Sequence, residues 1–171
     1  MGKAVTDLKQ KLEAAWKLYR SGNYRDPVFG ELEVANYEPA KALFRAMLDH
    51  KKERFRTRAL NHLQLMRDLS SDDELLEKVR DVVVNDPEEL TRSAAALLLA
   101  AHSRWPDEGL KRALEKETDP QTKEGIFLSI LQLMTSWDFA DAKRSDVTGG
   151  DIALSMESAT KLAERYRKSA D

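Results

Sequence analysis

The chain has no cysteine, which excludes disulfides and thiolate metal sites. This fits a reducing compartment, and a cytoplasmic location is the expectation. Glycine (7) and proline (5) are scarce over 171 residues, leaving little room for flexible linkers. Aromatic residues make up only 7%, few for a β-protein. The longest strongly apolar run is AAALLLAA, Ala94 to Ala101, too short to span a bilayer. The N-terminal MGKAVTDLKQ has no apolar stretch of the secretory type, so no membrane association is expected. A positive excess is missing as well: 28 basic residues against 30 acidic give −2. A protein that grips phosphates normally carries a clear positive excess, so nucleic acid is not the expected partner.

What the chain does have is charge and helical periodicity. Charged residues are 34% and hydrophobic residues 42%. Leu8, Leu12, Trp16 and Tyr19 lie on one helix face, and Gly22 reads as its stop. Residues 1–22 are expected to form an N-terminal capping helix. Asn23 to Glu38 reads as irregular. Pro39 opens a helix with Leu43, Phe44, Met47 and Leu48 inward. The next helix buries Phe55, Ala59, Leu63, Met66 and Leu69. Ser71 and Glu74 have the spacing of a capping box, ahead of Leu75, Leu76, Val79, Val82 and Val83. Asp86-Pro87 and Asp119-Pro120 read as helix starts with proline at the first position. The stripe after Asp86 is Leu90, Ala94, Leu97, Leu98 and Ala101. Pro106 opens a short helix with Leu110, Ala113 and Leu114. The helix after Asp119 buries Ile126, Phe127, Ile130, Leu131 and Met134. Asp138 to Gly150 reads as a second irregular stretch. Residues 151–168 read as a last helix, with Ile152, Met156, Ala159, Ala163 and Tyr166 inward.

Asp86-Pro87 and Asp119-Pro120 lie 33 residues apart, and the basic helix starts 36 residues before the first of them. Such periods, each holding a helix pair, mark helical repeats. Aligning FRTRALNHL (Phe55 to Leu63) with TRSAAALLL (Thr91 to Leu99) matches Arg56 to Arg92, Ala59 to Ala95 and Leu63 to Leu99. This pattern over 39–137, with the Asp-Pro starts, resembles the HEAT repeat. In the third unit, KEGIFLSIL, Gly125 falls where the arginine would lie. The resemblance implies an all-α fold of about eight helices: one domain over 1–171, built as a short right-handed α-solenoid of about four antiparallel helix pairs. It also implies that Arg56 and Arg92 pack within the stack, bonded to acidic or carbonyl groups.

The densest charge is HKKERFRTR (His50 to Arg58), with Lys51, Lys52, Arg54, Arg56 and Arg58 against Glu53 alone. With Arg56 structural, Lys51, Arg54 and Arg58 are expected to share a helix face. Three readings remain: a solvated face offset by the acidic segment Asp68 to Glu89, a patch for an acidic partner, and a phosphate patch. That segment carries nine acids against two bases, and the offsetting reading is preferred.

No motif supplies chemistry. His50, His62 and His102 form no H-E-x-x-H, and there is no nucleophile elbow or P-loop. No cofactor and no metal are expected, and His62 reads as a core histidine. Some HEAT-like alkylpurine DNA glycosylases use tryptophans and an aspartate in a basic groove, roles in which Trp105, Trp137 and Asp138 can be cast. A chaperone or lyase-like subunit for a cofactor-bearing protein is a further alternative. The favoured expectation is a non-catalytic protein-binding module, in its most concrete form a small bacterial neutralising or immunity-like protein. Its partner would meet the outward residues of the second helix in each pair, Lys41, Arg45, Asp73, Glu77, Asp81, Lys111, Arg112 and Glu115, with Lys51, Arg54 and Arg58 at the edge.

Overall fold

The computed structural model describes residues 2–23, 27–35, 37–66, 69–135 and 153–169. Nine α-helices and one 3-10 turn form among these residues, and no strand does, in line with the all-α expectation. The chain divides into two units, Met1–Leu69 and Ser70–Asp171.

In unit 1, α1 (Gly2–Ser21) ends as its sequence foretells. Gly22 has φ +72°, a conformation open to glycine without a Cβ penalty. Its N–H donates to the Tyr19 carbonyl at 3.0 Å, and that of Asn23 to Leu18 at 2.9 Å, which closes the helix as a Schellman motif. The stretch expected to be irregular instead holds α2 (Val28–Val34). Seven residues are too few to be helical on propensity alone. Burial of Val28, Phe29 and Leu32, and packing on α1 and on α4 (Glu53–Leu65), supply what local propensity lacks. Lys11 adds a bridge between the two helices, 2.8 Å from Asp7 and from Glu31. A 3-10 turn at Glu38–Ala40 leads into α3 (Lys41–Met47), which packs on α4. The expected stripes Leu43, Phe44, Met47 and Phe55, Ala59, Leu63 are all buried. His62 is buried with them, its ring 4.8 Å from that of Phe44. Burial penalises its cationic form and lowers its pKa to about 4.

Unit 2 holds α5 (Asp73–Asn85), α6 (Glu89–His102), α7 (Glu108–Lys116), α8 (Pro120–Thr135) and α9 (Met156–Ser169). Residues 86–88 turn α5 onto α6, and residues 117–119 turn α7 onto α8. α6 also packs on α8, and α5 on α7, so two hairpins lie side by side in two layers, with α9 against α8. The helix starts differ from expectation in three places. Asp72, not Ser71, caps α5, accepting from the Leu75 N–H at 3.2 Å; an aspartate serves as well as a serine there. Pro87 does not begin α6, because Asp86 ends α5 and its side chain accepts from the Glu88 N–H at 3.0 Å. Pro106 likewise precedes the cap of α7, Asp107, which accepts from Leu110 at 3.1 Å. Asp119-Pro120 is a helix start as read, with Asp119 accepting from Thr122 at 2.7 Å.

One inward stripe is also corrected. Leu90 and Leu97 are 63% and 37% exposed, and Ala101 is exposed too. α6 buries Thr91, Ala94, Ala95, Leu98 and Leu99 instead. A helix that is apolar nearly all round carries no periodic signal to choose its inner face. The irregular stretch at 138–150, Ile152, Trp137 and Asp138 lie outside the described residues.

Candidate functional site

The cations that stand out in sequence divide into those that hold the scaffold and those that face solvent. Arg92, the fourth residue of α6, forks onto Glu117, with Nε to Oε2 at 2.7 Å and Nη2 to Oε1 at 3.0 Å. Its Nη1 donates to the carbonyls of Asp86 and Pro87 at 2.9 and 3.1 Å. Glu117 is nearly buried and also accepts from the N–H groups of Thr118 and Asp119, both at 2.9 Å. Burial alone would raise the Glu117 pKa; Arg92 and the two amides outweigh it and hold the carboxyl below its ordinary value. One ion pair thus fastens the α5–α6 turn to the α7–α8 turn.

The same device recurs. Arg56, the fourth residue of α4, donates to the carbonyls of His50 and Lys51 at 3.0 and 3.2 Å. In each case the acceptors lie six and five residues back. Both arginines are therefore structural, bonded to carbonyl groups and, for Arg92, to an acid. In the third unit the residue is not Gly125. Lys123, fourth in α8, donates to the Glu117 carbonyl six residues back at 3.1 Å. Gly125 lies instead where α8 meets α6, and a Cβ there would stand 3.5 Å from the Ser93 hydroxyl. Pro120 is itself the first residue of α8, whereas α6 begins two residues after Pro87, so the 33-residue step between the Asp-Pro pairs overshoots the fourth helical position by two. A second clamp escaped sequence reading: Arg80 of α5 donates Nε to the buried cap Asp107 at 2.9 Å and pairs with Glu77 at 3.2 Å.

The residues named for partner binding fall in both units. In unit 1, Lys41 pairs with Glu38 at 2.7 Å, and Arg45 is half-buried. Arg54 donates to the Gly22 carbonyl at 3.1 Å, and Lys52 approaches it at 3.5 Å, so these two cations cap the C-terminal end of α1. Lys51 precedes α4 rather than lying on it, because the helix starts at Glu53. The expected three-cation helix face is therefore Arg54 and Arg58, with Lys51 on the approach; Lys51 and Arg58 are exposed. Beside them the His50 ring lies tilted against Phe55 at 4.1 Å and edge-on to Tyr19 at 5.5 Å, and its Nδ1 accepts from the Lys52 N–H at 3.0 Å. In unit 2, Asp73, Glu77 and Asp81 form an exposed line along α5. On α7, Arg112 and Glu115 are exposed, Arg112 donating to the Glu108 carbonyl at 3.3 Å. Lys111 pairs with Glu108 at 2.6 Å and lies 5.3 Å from the centre of the half-buried Trp105 ring.

A cleft of about 200 Å³ in unit 2 is lined by Val83, Asn85, Asp86, Arg92, Lys116 and Glu117, among others. Its charged walls are the scaffold bonds just described, together with Lys116 donating to Asn85 at 2.9 Å. Among the described residues no three histidines or carboxylates group as metal ligands, and no helix is long and apolar enough to cross a membrane. Comparison with protein-family models, curated proteins and solved structures finds no match for this chain.

Proposed function

We propose that the chain is a non-catalytic protein-recognition module built from HEAT-like helix pairs, working in the cytoplasm. The observation that carries this reading is the recurrence of one device at Arg56, Arg92 and Lys123, each fourth in its helix and each donating to the carbonyl six residues back. Three copies of one turn geometry are what repeated helix pairs produce, and stacked pairs serve mainly as extended recognition surfaces. The two-layer arrangement of α5 to α8 is compatible with such stacking. The side-by-side helices α5 and α7 offer Asp73, Glu77, Asp81, Arg112 and Glu115 as an exposed strip of mixed charge. Charge patterns of this kind set specificity and association rate for a folded partner. A neutralising, immunity-like role is the narrower form of the proposal and predicts one tight partner.

The test is cross-linked capture with the wild type and with Glu77→Lys/Asp81→Lys/Arg112→Glu. A protein retained by the wild type and lost by a variant of equal melting temperature is the expected result. Identical captures by both baits would remove the α5–α7 strip from the proposal.

A further inference from the structure

We infer that the basic face of unit 1, formed where the end of α1 meets the start of α4, docks an acidic helical segment of a partner protein. The charge is divided unevenly along the chain. Residues 1–69 hold 14 Lys and Arg against 9 Asp and Glu, +5, and residues 70–171 hold 14 against 21, −7. The overall −2 hides this division.

The basic excess of unit 1 is gathered by its fold. Lys52 and Arg54 both converge on the Gly22 carbonyl, which joins the end of α1 and the start of α4 into one surface. Arg20 lies two residues before Gly22, exposed, its guanidinium 5.8 Å from the centre of the half-buried Trp16 ring. Lys51 and Arg58, three residues before and four after Arg54, are exposed. The carboxylates in the same stretch are Asp49 and Glu53, so residues 49–58 keep +3. On α1, Glu13 lies one turn from both Lys9 and Lys17, and no carboxylate follows it before Arg20.

The arrangement selects the occupant. Arg54 and Arg58 are separated by one helical turn, about 6 Å along the axis. This matches carboxylates four residues apart on a facing helix, while Arg20, Lys51 and Lys52 extend the patch. Trp16 adds an aromatic ledge beside Arg20, a surface that suits a side chain with an apolar stem. A long duplex is a poorer match, because this face offers only a handful of cations. Affinity for phosphate backbones grows with the number of phosphates neutralised. The surface uses residues of unit 1 alone and the α5–α7 strip residues of unit 2 alone, so the two tests rely on different variants and can fail independently.

The probe is a fluorescein-labelled alanine-rich helix with glutamates at i, i+4, i+7 and i+11, compared with its glutamine counterpart. Anisotropy is read on the full chain at about 50 and about 150 mM salt. The variant is Arg20→Gln/Lys51→Gln/Arg58→Gln, whose side chains make no hydrogen bond among the described residues; circular dichroism checks that its melting is unchanged. The glutamate helix is expected to bind the wild type, weaken with salt, and lose at least about tenfold in affinity for the variant. Glu77→Lys/Asp81→Lys is expected to bind the peptide no worse than the wild type. Equal affinity for the wild type and the glutamine variant, no binding of the peptide, or tighter binding of a duplex of equal charge each overturns the inference. A concentration-dependent dimer in sedimentation that the glutamine variant abolishes also overturns it, by showing that the face belongs to a second copy of this chain.

Discussion

Removing Arg92 is the sharpest perturbation the fold offers. The side chain makes four hydrogen bonds, two to Glu117 and two to the carbonyls of Asp86 and Pro87. It is only partly exposed, at 17%, and the Glu117 side chain is 3% exposed. Deleting one member of a buried pair costs about 3–5 kcal/mol when the survivor is left unsolvated. Here Glu117 keeps two amide donors, and water can enter the adjoining cleft, so about 2–3 kcal/mol is the working figure for Arg92→Ala. For a chain of this length that lowers Tm by about 5–10 °C. The assay is thermal and urea unfolding of the wild type, Arg92→Ala, Arg92→Lys, Glu117→Gln and the double variant Arg92→Ala/Glu117→Gln. Lysine keeps the charge but cannot fork, so Arg92→Lys should recover only part of the loss. The double variant should cost less than the sum of the singles, because both remove one bond network. The pair also has a pH signature. The Glu117 carboxyl is held below its ordinary value when folded, so its stabilisation is full above the ordinary carboxylate pKa and is lost as pH falls through the folded one. Arg92→Ala should flatten that acid limb. Wild-type melting for Arg92→Ala, or strict additivity in the double variant, would refute the reading of the clamp.

Three further outcomes follow from the same geometry. His62, lowered to about 4 when folded, binds fewer protons than the unfolded chain between about pH 4 and 6.5; stability should therefore fall by up to about 3 kcal/mol as pH drops through that window, and His62→Leu should show a shallower slope in urea melts. Gly109→Ala should destabilise by about 1–3 kcal/mol despite alanine's better helix propensity, because the new Cβ would lie 2.6 Å from Arg80 Cγ and 3.1 Å from its Cα; a raised Tm would show that α5 and α7 can separate without cost. Lys123→Ala should cost only about 0.5–1.5 kcal/mol, less than Arg92→Ala, since it loses one carbonyl bond and no buried carboxylate partner; unfolding of the two variants side by side checks the order.

What could be read from the chain was whatever local pattern decides. The Schellman stop at Gly22 and the proline start at Pro120 depend on residues within one turn, and both are where the sequence puts them. The inward stripes of α4 and α5 are amphipathic, and every residue assigned to them is buried. Where the local signal is flat, the reading failed. α6 is alanine and leucine on nearly every side, so its inner face is set by α5 and α8, and Leu90, Leu97 and Ala101 face out. α2 is the converse: seven residues with a weak local signal, made helical by what Val28, Phe29 and Leu32 meet in three dimensions.

The exposed cations show why a charged surface is harder to read than a core. Arg54 and Arg58 are one turn apart and look equivalent in sequence, yet Arg54 caps α1 and Arg58 faces solvent. The partner that separates them is the Gly22 carbonyl, 32 residues away, and no periodicity within α4 points to it. The pattern Arg92 shares with Arg56 marks it as structural, whereas nothing in that pattern names Glu117, 25 residues on. Lys123 makes the same point from the other direction. A repeat counted by residue number puts Gly125 at the clamp, but the fourth position of the helix is what the turn conserves physically, because only there does a long side chain point back over the preceding carbonyls. Repeats of this type are therefore better aligned by helix start than by period. Around the capping pair Lys52 and Arg54, the exposed cations outside the clamps are Arg20, Lys51 and Arg58. Those leftovers, not the density of the basic run, single out the face on which a partner should be sought.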